Sequence, residues 1–270
     1  MSAILPVGQL LREWRQRRRM SQLDLALEAE ISSRHLSFVE TGRSRPSRDM
    51  VLHLAEQLDV PLRARNALLA AAGYAGAFAE RPLTDPALEA ARAAIDLVLQ
   101  GHEPYPALLV DRRWTLVAAN GAIARLLDGA DPKLLEPPVN VLRLALHPGG
   151  LARRIANLAE WREHLLSRLK REIEVTADPD LAALMAELAA YPAPEGRVVD
   201  ALPGGTDYGG VLVPLRLVTD GGLLNFFSTT TVFGTPMDIT LAELALEAFF
   251  PADAATAETL RRLAAGSGAI

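Results

Sequence analysis

The chain has 270 residues, half of them apolar, no cysteine and a formal net charge of -5. That length and apolar fraction suffice for two modest domains with separate cores, and the missing cysteine excludes disulfides, thiolate zinc sites and cysteine nucleophiles. The mean charge hides an asymmetry: residues 1–75 carry eleven arginines against eight carboxylates, a balance of +3 that leaves -8 for the remainder, so the N-terminal part is the one suited to phosphate contact.

No run approaches the 18 apolar residues of a membrane span, and the start of the chain passes into an Arg-rich helix without a cleavage site, so a soluble cytoplasmic protein is expected. Val7, Leu10, Leu11 and Trp14 follow helical spacing toward the basic run Arg17, Arg18, Arg19. Ser21 with Asp24 three residues on has the pattern of a capping box and opens a second helix ending near Ala29. Ser32 or Ser33 can cap a third helix with Leu36 and Val39 inward, closed by a left-handed Gly42. Pro46 and Ser47 open a fourth helix through Leu58, and Pro61 a fifth reaching about Ala72. Gly, Pro and small residues then break the periodicity, giving a linker over 76–84.

Beyond it, a helix is expected from Pro86 to Gln100. YPALLVDRRWTLVAAN reads as a β-hairpin, with Asn120 capping a helix behind it. A long amphipathic helix is predicted from Leu151 to Glu174 and another from Pro179 to Ala190. GGVLVPLRLVTDGGLLNFFSTTTVFG alternates around Asp220-Gly221-Gly222, a second hairpin. Two closing helices are predicted, Leu241 to Phe250 and Thr256 to Leu263. The fold class is thus an all-α five-helix domain over 1–75 followed by an α+β domain with an antiparallel sheet over 85–270.

Reading a base sequence needs a helix in the major groove that presents short or planar polar side chains at its N-terminal end, with another helix bridging the backbone. Residues 21–42 supply that geometry and leave Ser33, Arg34, Ser37 and Phe38 outward. SQLDLALEAEISSRHLSFVETGRSRPS resembles the Xre family of helix-turn-helix regulators, to which the lambdoid phage repressors belong, without gaps from Ser21 to Gly42. The resemblance implies that Gln22 contacts phosphate and braces a reading residue, and that Ser33 and Arg34, with Phe38 one turn later, face the bases. Phage repressors often carry amides at these positions, where this chain differs. Arg34 suits a bidentate contact to guanine, and Phe38 suits either a thymine methyl or packing on the fourth helix. Arg43, Arg45 and Arg48 suit phosphate positioning or a solvated face. The resemblance further assigns Arg15 and Glu40 to an inter-helix ion pair. The implied partner is a double-stranded operator, an inverted repeat bound by a homodimer, since one short reading helix covers too few base pairs.

The stretches PALLVDRRWTLVAAN, NVLRLALHPGG, NLAEWREHLL and VFGTPMDITLAELALEAFFPADAAT make the whole chain similar to the MmyB-like regulators, Xre proteins with a PAS-like ligand-binding domain. That resemblance implies a pocket for a small lipophilic, fatty-acid-like effector. Leu142, Leu146, Trp161, Leu165, Phe226 and Phe227 are candidate walls, though by residue type each reads first as plain core. Arg143 and His147 are candidates to hold an anionic head group, or are surface and capping residues. A domain that only dimerises or binds a protein partner stays open beside this reading.

His35, His53, His102, His147 and His164 form no pair at metal-ligand spacing and no HExxH, so no metal site is expected. A haem-bearing PAS domain would take His147 or His164 as axial ligand, without a positive sign of it here. Pro203-Gly204-Gly205 and Gly209-Gly210 lack a nucleotide-binding pattern and read as turns. No nucleophile or carboxylate constellation suggests catalysis, and no cofactor beyond a bound effector is expected.

Overall fold

The computed structural model describes residues 5–192, 212–234 and 236–266; the glycine pairs expected as turns, at 203–205 and 209–210, lie outside them. By compactness the chain forms two units, Met1–Pro82 with Thr235–Ala242 and Leu83–Gly234 with Glu243–Ile270.

The first unit is built on α1 (Val7–Arg17), α2 (Gln22–Glu28), α3 (Ser33–Glu40), α4 (Arg48–Gln57) and α5 (Leu62–Ala71). Local chemistry sets the starts of three of them. Ser21 Oγ accepts from Asp24 N at 3.1 Å while Asp24 Oδ2 accepts from Ser21 N at 2.8 Å, satisfying two amides that a helix start leaves bare. Ser32, one of the two candidates, caps α3 through His35 N, and Ser47 caps α4 through Met50 N. Gly42 takes φ +73° just past α3, as expected of a residue without a Cβ. Leu11, Leu25, Leu36, Val51 and Leu54 are wholly buried between these helices. Within the expected linker, Asn66 Oδ1 accepts from Ala77 N and Phe78 N at 2.8 and 3.1 Å, holding that backbone to α5.

The second unit sets α6 (Glu89–Gly101), α7 (Gly121–Leu126), α8 (Val141–Leu146), α9 (Leu158–Thr176) and α10 (Pro179–Ala190) around one sheet. Its strands β1 (Ala107–Val110), β2 (Leu116–Ala119), β3 (Leu215–Thr219), β4 (Gly222–Val232) and β5 (Ala245–Pro251) run in the order β2-β1-β5-β4-β3, all neighbours antiparallel. Between β4 and β5 the chain supplies α11 (Ile239–Ala242) to the first unit, where Ile239 N donates to Ala79 O at 2.8 Å. After β5, α12 (Ala254–Gly266) follows.

Three expectations need correction. Leu241 to Phe250 is not a helix: α11 stops at Ala242 and β5 occupies the centre of the sheet, paired through Leu246 to Leu109 of β1 and through Ala248 to Thr229 of β4. Its Ala, Leu and Glu favour helix intrinsically, but partners on both edges override a weak local preference. The long helix begins at Leu158, not Leu151. Ile155 bridges Leu217, and Ala156 N donates to Arg216 O at 2.8 Å, so this backbone bonds β3 instead of continuing a helix. Asn120 precedes α7 without capping it. Its Oδ1 accepts from Ala107 N, and its Nδ2 donates to Leu99 O and Tyr105 O.

Candidate nucleic-acid interface and ligand cavity

Ser33 and Arg34 stand exposed on the first turn of α3, with Ser37 and Phe38 half-buried one turn on. The Phe38 ring is flanked by two guanidinium groups, Arg34 at 5.4 Å and Arg43 at 5.9 Å from its centroid. Each cation gains from the ring quadrupole, which offsets part of the repulsion between two like charges gathered at one ring. Phe38 thereby links a candidate reading residue to a candidate phosphate contact. Arg48 is exposed at the start of α4, its Nη1 4.0 Å from Asp49. Arg45 is engaged within the unit: Nη2 donates to Ala72 O at 2.9 Å and the group lies over Tyr74. Gln22 turns its amide toward the interior, with Nε2 donating to Glu40 Oε2 at 2.7 Å. Glu40 and Arg15 form the expected ion pair, Nε to Oε1 at 2.6 Å and Nη2 to Oε2 at 2.9 Å, both buried. Arg15 is raised above its ordinary value chiefly by that bond.

In the second unit, strand alternation puts Leu108, Leu215, Leu217, Phe226, Ser228, Glu247 and Phe249 on one face of the sheet, since directly paired residues share a face. Between that face and α7, α8 and α9 lies an apolar cavity of about 110 Å³. Leu142, Trp161, Leu165 and Phe226 are among its walls. The other four candidates are not. Leu146 is buried in the surrounding core. Phe227, one residue from Phe226, falls on the opposite face and stacks on Phe250 with centroids 5.2 Å apart. Arg143 grips Glu187 through two bonds of 2.8 Å at the surface, and His147 Nδ1 accepts from Gly149 N.

The polar rim is made by residues the sequence reading did not single out for a head group. His164 stacks on Trp161 at 5.3 Å, and Arg168 follows one turn later. Arg168 Nη1 and Nη2 donate to the two oxygens of Glu247 at 3.0 and 2.6 Å, its Nε lies 3.5 Å from Glu172 Oε1, and its central carbon lies over the Trp114 ring, 4.5 Å from the centroid. Trp114 Nε1 donates to Glu172 Oε2, and Thr230 Oγ1 to Glu247 Oε1. Burial raises the Glu172 carboxyl above its usual range against the pull of Trp114 and Arg168. Burial, with Arg168 and Arg171 adding to it, lowers the His164 imidazole, which favours its neutral form. His164, Arg168 and Ser228 also border a second cleft of about 590 Å³, so they form the boundary between cavity and cleft. A signal for two of them was present in the sequence: Trp161, His164, Leu165 and Arg168 recur at i, i+3, i+4 and i+7, which puts an imidazole and a guanidinium on the apolar stripe of a helix. Glu247 was hidden by the helical reading of its strand.

Among the described residues no cluster of three metal-ligating side chains occurs, and no helix is long and apolar enough to cross a membrane. Residues 91–263, more than half of the chain, match the family described as MmyB-like transcription regulator ligand binding domain, and residues 11–64 match the family described as Helix-turn-helix. No curated protein matches. A solved structure titled "Structure of an RNA-binding Light-Oxygen-Voltage Receptor" is similar at 14% identity and a TM-score of 0.26 over 96% of this chain, which spans 64% of that structure's chain. At that score the likeness bears on neither fold nor function.

Proposed function

The chain belongs to the MmyB-like transcription regulators, and from that premise we propose that it binds an operator as a homodimer through α3 and changes its affinity when a small lipophilic, fatty-acid-like molecule occupies the second unit. The observation that carries the reading is the cavity enclosed by Leu142, Trp161, Leu165 and Phe226. Apolar cavities of this order stay dry and take up small apolar molecules, and a longer chain gains room by passing between His164, Arg168 and Ser228 into the adjoining cleft. Such a protein works in the cytoplasm by binding and not by catalysis.

DNA affinity rests on phosphate contacts from Arg43 and Arg48, and selectivity on Arg34, because backbone contacts carry no base information. A ligand that favours one arrangement of the dimer couples to the operator by about 1 to 3 kcal/mol, several-fold or more in affinity. The test is a panel of fatty acids, alcohols and esters added to delipidated protein. Ligand that binds only the folded state raises the melting temperature by mass action, and the rise shrinks in Trp161→Ala and Phe226→Ala. A panel that changes neither melting temperature nor operator affinity overturns effector sensing and leaves a domain that dimerises or binds a protein.

A further inference from the structure

The cavity's polar rim holds a guanidinium already paired with a buried carboxylate through both terminal nitrogens, and that bears on which ligands fit. Both terminal nitrogens of Arg168 donate to Glu247, its Nε lies 3.5 Å from Glu172, and its central carbon sits over the Trp114 ring. Two carboxylates therefore surround one cation. The Glu247 side chain is 5% exposed, so a ligand carboxylate that captured Arg168 would strand a buried anion, a change that is strongly unfavourable. A carboxylate that left the pair intact would sit as a third negative group beside Glu172 and Glu247. Arg171 also borders the outer cleft, but it is exposed, and an ion pair in water adds little.

Two other polar groups stand on the same boundary. Ser228 presents a hydroxyl and His164 a neutral-favouring imidazole, and among the described residues neither has a hydrogen-bond partner. A hydroxyl can donate and accept, and a neutral imidazole has one donor and one acceptor nitrogen, so each can serve a polar atom at the end of an apolar chain. We infer that the cavity selects lipophiles ending in an uncharged hydrogen-bonding group, an alcohol, ketone or ester, over free carboxylates, with Ser228 and His164 contacting that group and the Arg168–Glu247 pair excluding anions. The inference rests on the lipophilic-effector reading above and narrows it.

The experiment measures binding of decan-1-ol, methyl decanoate and decanoate to the delipidated full-length chain by calorimetry near neutral pH. The alcohol and the ester bind at least about tenfold more tightly than the acid, the scale expected when a charge is buried without a partner. Ser228→Ala lowers alcohol affinity about three- to tenfold, the worth of one neutral hydrogen bond, and leaves decane binding unchanged. Glu247→Gln releases the Arg168 charge and shifts the alcohol-to-acid preference toward decanoate. Should that variant misfold, the wild-type ratio and Ser228→Ala still decide. Decanoate binding as tightly as decan-1-ol, or Ser228→Ala weakening alcohol and decane alike, overturns the selectivity while leaving lipid sensing in place. No binding by any of the three overturns both.

Discussion

Gln22 donates its side-chain amide to the Glu40 carboxylate that Arg15 already grips with two bonds, so three helices of the DNA-binding unit converge on one buried anion. A family resemblance assigns Gln22 to phosphate; its observed partner also gives it a structural task. The Glu40 side chain is 1% exposed, and removing one member of such a pair leaves the other charge uncompensated. Glu40→Ala is expected to destabilise the unit by about 3 to 5 kcal/mol in denaturant melts, whereas Arg15→Met combined with Glu40→Leu recovers most of the loss. A single variant as stable as wild type would show that the pair is not closed in solution.

Arg34 and Arg43 share the Phe38 ring but are assigned different work. Arg34→Ala should cost about 1 to 3 kcal/mol on the preferred operator and flatten base preference, while Arg43→Ala weakens all sequences alike and reduces the salt slope by about one. Phe38→Ala should produce part of both effects, since it removes the surface on which the two groups rest. Titrations on operator and random DNA at several salt concentrations separate the three, and equal losses on both DNAs for Arg34→Ala would remove it from the reading role.

Gly8 is buried in α1, where a Cβ would meet the Val39 carbonyl oxygen at 2.1 Å. Alanine is the better helix former by about 1 kcal/mol, so an isolated helix would gain from Gly8→Ala. In the folded unit the added methyl must push α1 away from the end of α3, a strain of about 1 to 3 kcal/mol or more. Net destabilisation with lower operator affinity is the expected outcome. A rise in melting temperature would mean that α1 moves freely.

His164 has its protonated form disfavoured by burial and by Arg168 and Arg171 on its own helix, with Glu160 and Glu247 opposing. A cation-forming group lowered on folding binds fewer protons in the folded state. Its contribution is therefore present above the ordinary value near 6.5 and is lost as pH falls below it. Wild-type stability should decline more between about pH 7.5 and 5.5 than that of His164→Gln. Parallel curves for the two proteins would place the sensitivity elsewhere.

Much of the first unit is legible because its determinants are local. Ser21 with Asp24, Ser47 before α4 and Gly42 after α3 each act within four residues, and a reader of the sequence sees both partners. Candidate cavity walls on α8 and α9 were readable in part for the same reason, as apolar stripes at helical spacing. Phe226 and Phe227 show the limit: the strand was recognised, and period-two alternation requires that only one of two consecutive residues face the cavity, but which one depends on the register with β5.

By itself the sequence determined the helical frame of the DNA-binding unit, its exposed Arg34 and the α+β class of the remainder, because capping, periodicity and turn residues are short-range chemistry. Only the tertiary structure decided that 245–251 is the central strand, that Asn120 joins Ala107 to Leu99 and Tyr105 instead of capping α7, and that Glu247 closes on Arg168. Each of these depends on a partner far along the chain. The free energy that fixes them comes from pairing and burial that exist only after those distant segments meet, which no local window of the sequence contains.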